Sequence, residues 1–355
     1  MTRTQQEPAK TGSASAKPTL RPSSLSDVAM LAGVSTGTVS RVLSRPEMIS
    51  EATRTRVMEA VQRLGYVTNG AARALVARRT HTVGALVPRF GSSSFPTLVQ
   101  ALESTLAARR YTLLLSAPEH ARAQDPSLVR TLLERGVDAV ALLGTEHPPQ
   151  TFAMLKAHGV PFVLMWATQS QDGACVGFDE RSAAELVVEH LAGLGHRQIG
   201  FIGGRTGDNE RARRRLRGLH EAVAGRGMML GTNAVVEVEY GFRQGFTAMT
   251  ELLQRRLPIT AVICGNDYLA AGALSALSRG GIDVPRQMSV ASFNDNDFAE
   301  FLHPPLTTVH VPIGEIGEQA GLYLLARLQG EAPVSTPDNL PVHLVVRQST
   351  GPVAG

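Results

Sequence analysis

The chain has little cysteine and few aromatic side chains: two Cys, one Trp, five Tyr and eleven Phe in 355 residues. Cys175 and Cys264 stand in apolar stretches with no further ligand at metal spacing, which argues against a disulfide framework and a cysteine-built metal site. They read as reduced core residues of a cytoplasmic protein. No run approaches the roughly 20 consecutive apolar residues of a membrane-spanning helix. The first 24 residues lack the apolar centre of a secretion signal, so neither export nor membrane insertion is expected. Patterns that carry catalysis are also missing: GxGxxG, a Walker loop, a GxSxG elbow and HExxH do not occur, and the ten His are scattered. Neither enzyme activity nor a cofactor or metal is expected. The alternative is a sugar-modifying α/β enzyme with an accessory head, for which turnover of sugar phosphates or nucleotides would be the sign.

What is present is a globular composition, 43% hydrophobic and 19% charged, in a chain too long for one comfortable core. The net charge of +4 is unevenly placed. Residues 1–80 hold twelve Lys and Arg against five Asp and Glu, a net of +7, and residues 81–355 hold 23 against 26, a net of −3. A basic end on a near-neutral body is the electrostatic footprint of a nucleic-acid-binding head. Because Arg far outnumbers Lys, a compositional bias toward Arg would produce part of the same signal.

Residues 1–22, rich in Thr, Ser, Ala, Lys and Pro, read as a disordered tail. Residues 23–68 follow as three short amphipathic helices. The first opens at Ser24 with Asp27 three places on, a capping-box pattern, turns Leu25, Val28, Ala29 and Leu31 inward and ends at Gly33. The second begins after Ser35 and places Val39, Val42 and Leu43 on one face. The third, from about Ser50 to Leu64, buries Val57, Val61 and Leu64 and exposes Arg54, Arg56 and Arg63. After a linker at 69–80, residues 81–355 alternate short β-rich runs with helical stretches at βαβ spacing. About ten strands in this span exceed one comfortable sheet, so two α/β lobes with mainly parallel sheets are expected, their ligand crevice outside the carboxyl ends of the strands.

The stretch LSDVAMLAGVSTGTVSRVLS has the layout of a helix-turn-helix. Gly33 permits the turn, Ser35 caps the reading helix, Ser35, Thr38 and Ser40 can bond phosphates, and Arg41 can fork onto a guanine edge. A purely structural three-helix bundle explains the apolar positions but not the hydroxyls and the Arg on one exposed helix. The run DVAMLAGVSTGTVSRVL (residues 27–43), followed by ISEATR and LGYVTN, resembles the lactose/galactose repressor (LacI/GalR) family. LGHRQIGFIG (194–203), GNDYLAAGA (265–273), PPLTTV (304–309) and VRQST (346–350) extend the resemblance over nearly everything after the tail. It implies an α/β fold with an all-α helix-turn-helix head and a two-lobed, periplasmic-binding-protein-like domain of doubly wound parallel sheets. It also implies a DNA-binding transcription repressor of a carbohydrate or sugar-acid utilisation operon. A purine-type corepressor-dependent regulator, or an activator, stays open.

The resemblance places Thr36 and Gly37 at the two main specificity positions and Arg41 at a base-contacting one. It assigns phosphate contacts to Leu25, Ser35, Thr38, Ser40, Ser50, Thr53 and Asn69. For the effector it implies Arg215 as anchor, Asn266 as a strand-end amide, Tyr240 as a stacking ring, and Ser94 and Phe95 after the first strand. Asn294 stands where sugar and purine binders of the family carry an Asp. Without the resemblance, Arg211, Arg213, Arg214, Arg215 and Arg217 are indistinguishable, and Tyr240 reads equally well as a core aromatic. Losing that carboxylate at Asn294 and gaining Arg89 in RFGSSSF makes the cleft more hospitable to an anion. RPEMIS and VGFDE also resemble the gluconate-operon subgroup, which points to a sugar acid such as gluconate; neutral sugars remain open.

A near-palindromic double-stranded operator requires two heads, so a homodimer is expected. The sequence ends a few residues past the last expected strand, which favours a dimer over a tetramer built on terminal heptads. Residues 69–76 resemble the family's hinge helix, with Asn69, Ala72 and Leu75 at DNA-contacting positions and Leu75 as the apolar wedge of a minor-groove step. Eight residues containing Gly70 make a marginal helix in water, so its folding is expected only on DNA, where the lobes can control it. The alternative is an ordinary linker with Leu75 on the core. Leu75→Ala is expected to weaken operator binding by about tenfold or more while leaving effector affinity of the large domain unchanged. Equal operator affinity of variant and parent in a gel-shift titration would refute the wedge.

Overall fold

Ser24 accepts the Asp27 amide on its hydroxyl while the Asp27 carboxylate accepts the Ser24 amide at 2.7 Å, and this reciprocal cap opens α1 (Leu25–Ala32). Gly33, at φ +64, ends it in a left-handed conformation. The computed structural model describes residues 23–67, 79–88, 90–91, 94–119, 122–331 and 339–353. The hinge positions Asn69, Ala72 and Leu75, and Arg89, lie outside the described residues. Contacts divide the chain into two units, Met1–Arg78 and Arg79–Gly355.

In the first unit α2 (Thr36–Ser44) starts at Ser35, whose hydroxyl accepts the Thr38 amide at 3.2 Å, and α3 (Glu51–Leu64) starts after Ser50. Val28, Ala29, Ala32, Val39, Val42, Val57 and Ala60 form the buried centre, with Leu25, Leu43, Val61 and Leu64 packed around it. Leu31 departs from expectation: it is 43% exposed. The inward stripe of α1 runs through positions 25, 28, 29 and 32, and Leu31 falls about 100° off it. On α3 the same phase buries Ala60 in full and leaves Val61 and Leu64 at the edge.

The second unit holds two sheets. The N-lobe sheet is built from β1 (Thr82–Leu86), β2 (Thr112–Ser116), β3 (Ala139–Leu143), β4 (Phe162–Met165) and β5 (Ala174–Val176), parallel throughout in the order β2-β1-β3-β4-β5. Its helices include α4 (Phe95–Ala107), α5 (Pro126–Glu134) and α6 (Pro149–Ala157). The chain then passes into the C-lobe: α7 (Glu180–Gly193), β6 (Ile199–Gly204), α8 (Glu210–Gly225), β7 (Val235–Val238), α9 (Phe242–Gln254), β8 (Ala261–Cys264), α10 (Asp267–Arg279), β9 (Ser289–Asn294) and β10 (Thr307–His310). It returns to the N-lobe as α11 (Ile313–Gln329), which packs on α4, and ends in the C-lobe at β11 (His343–Val345). The C-lobe order is β11-β10-β9-β8-β6-β7, with only β10 and β11 antiparallel. Eleven strands are described where the sequence pattern suggests about ten.

Strands β3 and β8 are buried along their whole length, which is why they read as unbroken apolar runs. One buried apolar cluster runs through both sheets, including Val83, Phe201, Ile263 and the crossover residue Val311. His196 of the LGHR motif is buried and bonds Thr260, Ser289 and the Gly351 carbonyl, tying the end of the chain to the C-lobe; burial lowers its pKa.

The cleft walls are also bonded to one another. Thr145, after β3, donates from its amide (2.7 Å) and hydroxyl (2.5 Å) to the Glu210 carboxylate, and the Glu146 amide donates at 3.2 Å. Arg214 pairs with the same carboxylate at 2.5 Å. Burial alone raises the Glu210 pKa, but the Thr145 donors, Arg214 and the Glu146 amide more than offset it and hold the group below its ordinary 4.5. A carboxylate more acidic when folded stabilises the fold fully above 4.5 and loses that contribution as pH falls through its lowered value. Glu210→Gln is therefore expected to lower the melting temperature by about 3–8 °C near neutrality. The gap should hold down to about pH 5 and shrink below that in a pH series of thermal melts; a gap that widens on acidification would contradict the assignment.

Candidate effector cleft and DNA-reading surface

Ser94, Phe95, Arg215, Tyr240, Asn266 and Asn294 all line one cleft of the second unit. Ser94 and Phe95 follow β1, Tyr240 follows β7, Asn266 follows β8, Asn294 ends β9 and Arg215 stands on α8, the helix after β6, so the cleft lies at the carboxyl ends of the strands as a doubly wound sheet requires. Ser94 precedes α4 without a side-chain capping bond, and Phe95 is the helix's first residue. Asn266 caps α10, accepting the Leu269 amide at 3.0 Å, and is 3% exposed. Tyr240 lies across the end of β6: a Cβ at Gly204 would come within 2.6 Å of its ring, so the second glycine of GFIGG leaves the space this ring occupies. Burial raises the Tyr240 pKa.

The run of arginines on α8 separates by partner. Arg215, 4% exposed, places Nε 2.7 Å and Nη2 2.9 Å from the two Glu180 oxygens. Its Nη1 donates to the Gly265 carbonyl, and its plane stacks 4.5 Å above Phe293. Burial acts to lower its pKa, and the Glu180 charge more than compensates, so the net shift is upward. Arg213 pairs with Glu146, Arg214 with Glu210, and Arg217 is exposed. Arg211, which the sequence pattern does not single out, also lines the cleft, lying 5.5 Å from the Phe95 ring centre. The available signal is spacing: positions 211 and 215 share one face of a helix, one turn apart.

Asp267 organises the far wall. Its carboxylate accepts the Asn296 amide (2.6 Å), Asn296 Nδ2 (2.8 Å), the Thr308 hydroxyl (2.8 Å) and the Ser292 hydroxyl. Burial pushes its pKa up, and these four donors oppose that rise. Because Asn296 Nδ2 is committed to Asp267, its Oδ1 faces Ser94, whose hydroxyl donates to it at 2.9 Å. Ser94 then accepts Asn294 Nδ2 at 3.1 Å, which leaves Asn294 Oδ1 buried with no partner among the described residues. The relay fixes both amide orientations. Positive φ angles at Asn294 (107°), Asp295 (54°) and Trp166 (61°) place backbone strain around the same cleft. Trp166, another lining residue outside the sequence expectation, donates from Nε1 to Glu180 at 3.1 Å.

On the first unit, Ser35, Thr36, Gly37, Ser40 and Arg41 of the capped helix are exposed, and Thr38 and Thr53 are partly so. Ser35 and Thr38 hydroxyls lie 2.9 Å apart, so one proton is used between them and the other is free to bond outward. Ser50 donates to the Thr53 hydroxyl at 3.0 Å. The Leu25 side chain packs against the core, so any phosphate contact there falls to its backbone amide. A Cβ at Gly37 would lie 3.8 Å from Arg41 Nη2, so the guanidinium rests beside the bare first turn of α2.

The family pattern described as bacterial regulatory proteins, lacI family, matches residues 24–69, and that of a periplasmic binding protein-like domain matches residues 188–350. The ribose operon repressor of Escherichia coli (strain K12) is 35% identical over 306 residues, 86% of this chain and 92% of that protein. The HTH-type transcriptional repressor CytR of the same strain is 32% identical over 327 residues, 92% of this chain and 96% of that protein. The solved lac repressor dimer bound to operator and the anti-inducer ONPF superposes with a TM-score of 0.82 at 28% identity, covering 93% of this chain and 100% of that one. Head, two-lobed body and relatives agree: the chain belongs to the LacI family and is a DNA-binding transcription repressor, not an enzyme.

Proposed function

We propose that this repressor works in the cytoplasm as a homodimer on a near-palindromic operator and controls a carbohydrate or sugar-acid utilisation operon. A small molecule such as gluconate, held between the lobes, sets its grip on DNA. In this reading Thr36, Gly37 and Arg41 meet base edges, and Leu25, Ser35, Thr38, Ser40, Ser50, Thr53 and Asn69 meet phosphates. Ala72 and Leu75 act at the minor groove, while Ser94, Phe95, Arg215, Tyr240, Asn266 and Asn294 surround the effector. The observation that carries the effector reading is the buried Asn294 Oδ1, an acceptor without a partner among the described residues at the end of a fixed relay. A buried polar atom left unbonded costs about 1–3 kcal/mol, and a ligand hydroxyl removes that cost. A purine-type corepressor is the second reading, favoured by the Tyr240 and Trp166 rings in the lining.

Thermal melts with gluconate, glucose, ribose and purine bases, followed by gel shifts on genomic fragments with each ligand that raises the melting temperature, test both halves. Gluconate is expected to stabilise the protein and change operator affinity. Arg41→Ala should cost about 1–3 kcal/mol of operator binding and relax sequence preference without changing ligand stabilisation. A protein that no member of the panel stabilises, and that binds operator fragments no better than random duplex, would overturn the proposal.

A further inference from the structure

We propose that Arg211 supplies the cleft's net positive charge, beside an Arg215 neutralised by Glu180, and that it selects a hydroxylated carboxylate or phosphate over a neutral sugar. The inference rests on the cleft being the effector site, and it reassigns the anchoring charge within it. Arg215 is spoken for: both oxygens of Glu180 bind it, the Gly265 carbonyl takes a further N–H, and Phe293 covers its face. The pair is electrically neutral and locked, so Arg215 adds dipoles and shape to the cleft but no net charge.

Arg211 differs in each respect. It lies one helical turn away on the same face of α8 and lines the same cleft, and among the described residues no carboxylate pairs with it. The carboxylates around it have partners of their own, Glu210 in Thr145 and Arg214, Glu180 in Arg215 and Trp166, and Glu239, which lines the same cleft, in Arg205. Its one described contact of note is the Phe95 ring. It also stands in the first turn of α8, where the positive end of the helix dipole disfavours a cation. Burial lowers its pKa and the Arg215 charge adds to that effect, while Tyr240, Glu210 and Glu180 act the other way without overcoming it. A cation kept in such surroundings carries a standing cost that a bound anion would remove.

The opposite demand is made by Asn294, whose buried Oδ1 in the same cleft needs a donor. Arg211 asks for an anionic oxygen and Asn294 for a hydroxyl, with the Tyr240 and Trp166 rings in the lining available to carbon-bound hydrogens. A polyhydroxy acid or a sugar phosphate satisfies all three.

The test uses the full chain and calorimetry with D-gluconate, glucose 6-phosphate and D-glucitol, the last being the neutral polyol of gluconate's length. Wild-type protein should bind at least one of the two anions about tenfold or more tightly than glucitol, and which anion wins distinguishes carboxylate from phosphate. Arg211→Gln should bring that ratio close to one, and Arg211→Lys should restore part of it. Free of ligand, Arg211→Gln should melt no lower than wild type, because the substitution removes an uncompensated charge; an arginine with a purely structural role would make it melt lower. If Arg211→Gln keeps the full preference for the anion, the inference fails while the cleft remains the effector site. If wild-type protein binds glucitol as well as the anions, or neither anion binds, the inference fails as well; if Asn294→Ala also leaves binding of every stabilising ligand intact, the cleft reading fails with it.

Discussion

Glu180 and Arg215 meet in a place where neither charge can be hydrated, each side chain 5% exposed, and the cleft is arranged around their contact. Desolvating two ions costs several kcal/mol apiece, and a bidentate geometry with further hydrogen bonds is what returns it. Here Glu180 additionally accepts the Trp166 indole and Arg215 additionally donates to Gly265, so one ion pair joins a residue after β4, the start of α7, the face of α8 and the end of β8. Breaking either partner would strand the other charge at a cost of about 3–5 kcal/mol. The pair thereby fixes the ring of Trp166 and takes one arginine out of the cleft's charge balance.

A second hub lies across from it. Asp267 gathers donors from β9, β10 and the loop after β9, and that loop is strained at Asn294 and Asp295. Strain of this kind persists only where the surroundings over-determine it. The relay from Asp267 through Asn296 and Ser94 to Asn294 crosses from one lobe to the other, so the orientation of a single ligand-facing amide depends on the closeness of the lobes. A molecule that binds this amide in its present orientation favours the lobe arrangement in which Ser94 meets Asn294, a differential affinity of the kind any control of DNA binding needs.

Much of this was legible in the sequence, and the exceptions have a common cause. The capping box at Ser24 and Asp27, the turn at Gly33 and the cap at Ser35 are local, so a few neighbouring residues determine them. Strands buried on both faces, such as β3 and β8, announce themselves as apolar runs. The strands β7, β10 and β11 do not, being partly polar, nor does β5, which is only three residues long. In β10 the fully buried Thr307 and Thr308 are satisfied by Thr350 and Asp267, some forty residues away, a compensation no local pattern records. The cleft shows the same division. Its amides and rings could be placed by family resemblance, whereas Arg213 and Arg215 of α8 are told from their neighbours only by the distant carboxylates they meet, Glu146 and Glu180.

The bonds that join the cleft walls, from Ser94 to Asn294 and Asn296 and from Thr145 to Glu210, are polar, while the chain crossings behind them sit in a continuous apolar cluster. Parting the walls hands those groups to solvent, which replaces each bond in kind, and uncovers the Phe95, Trp166 and Tyr240 rings of the lining as well. Exposing rings raises the heat capacity and exposing polar groups lowers it, so the two contributions to such an opening oppose one another.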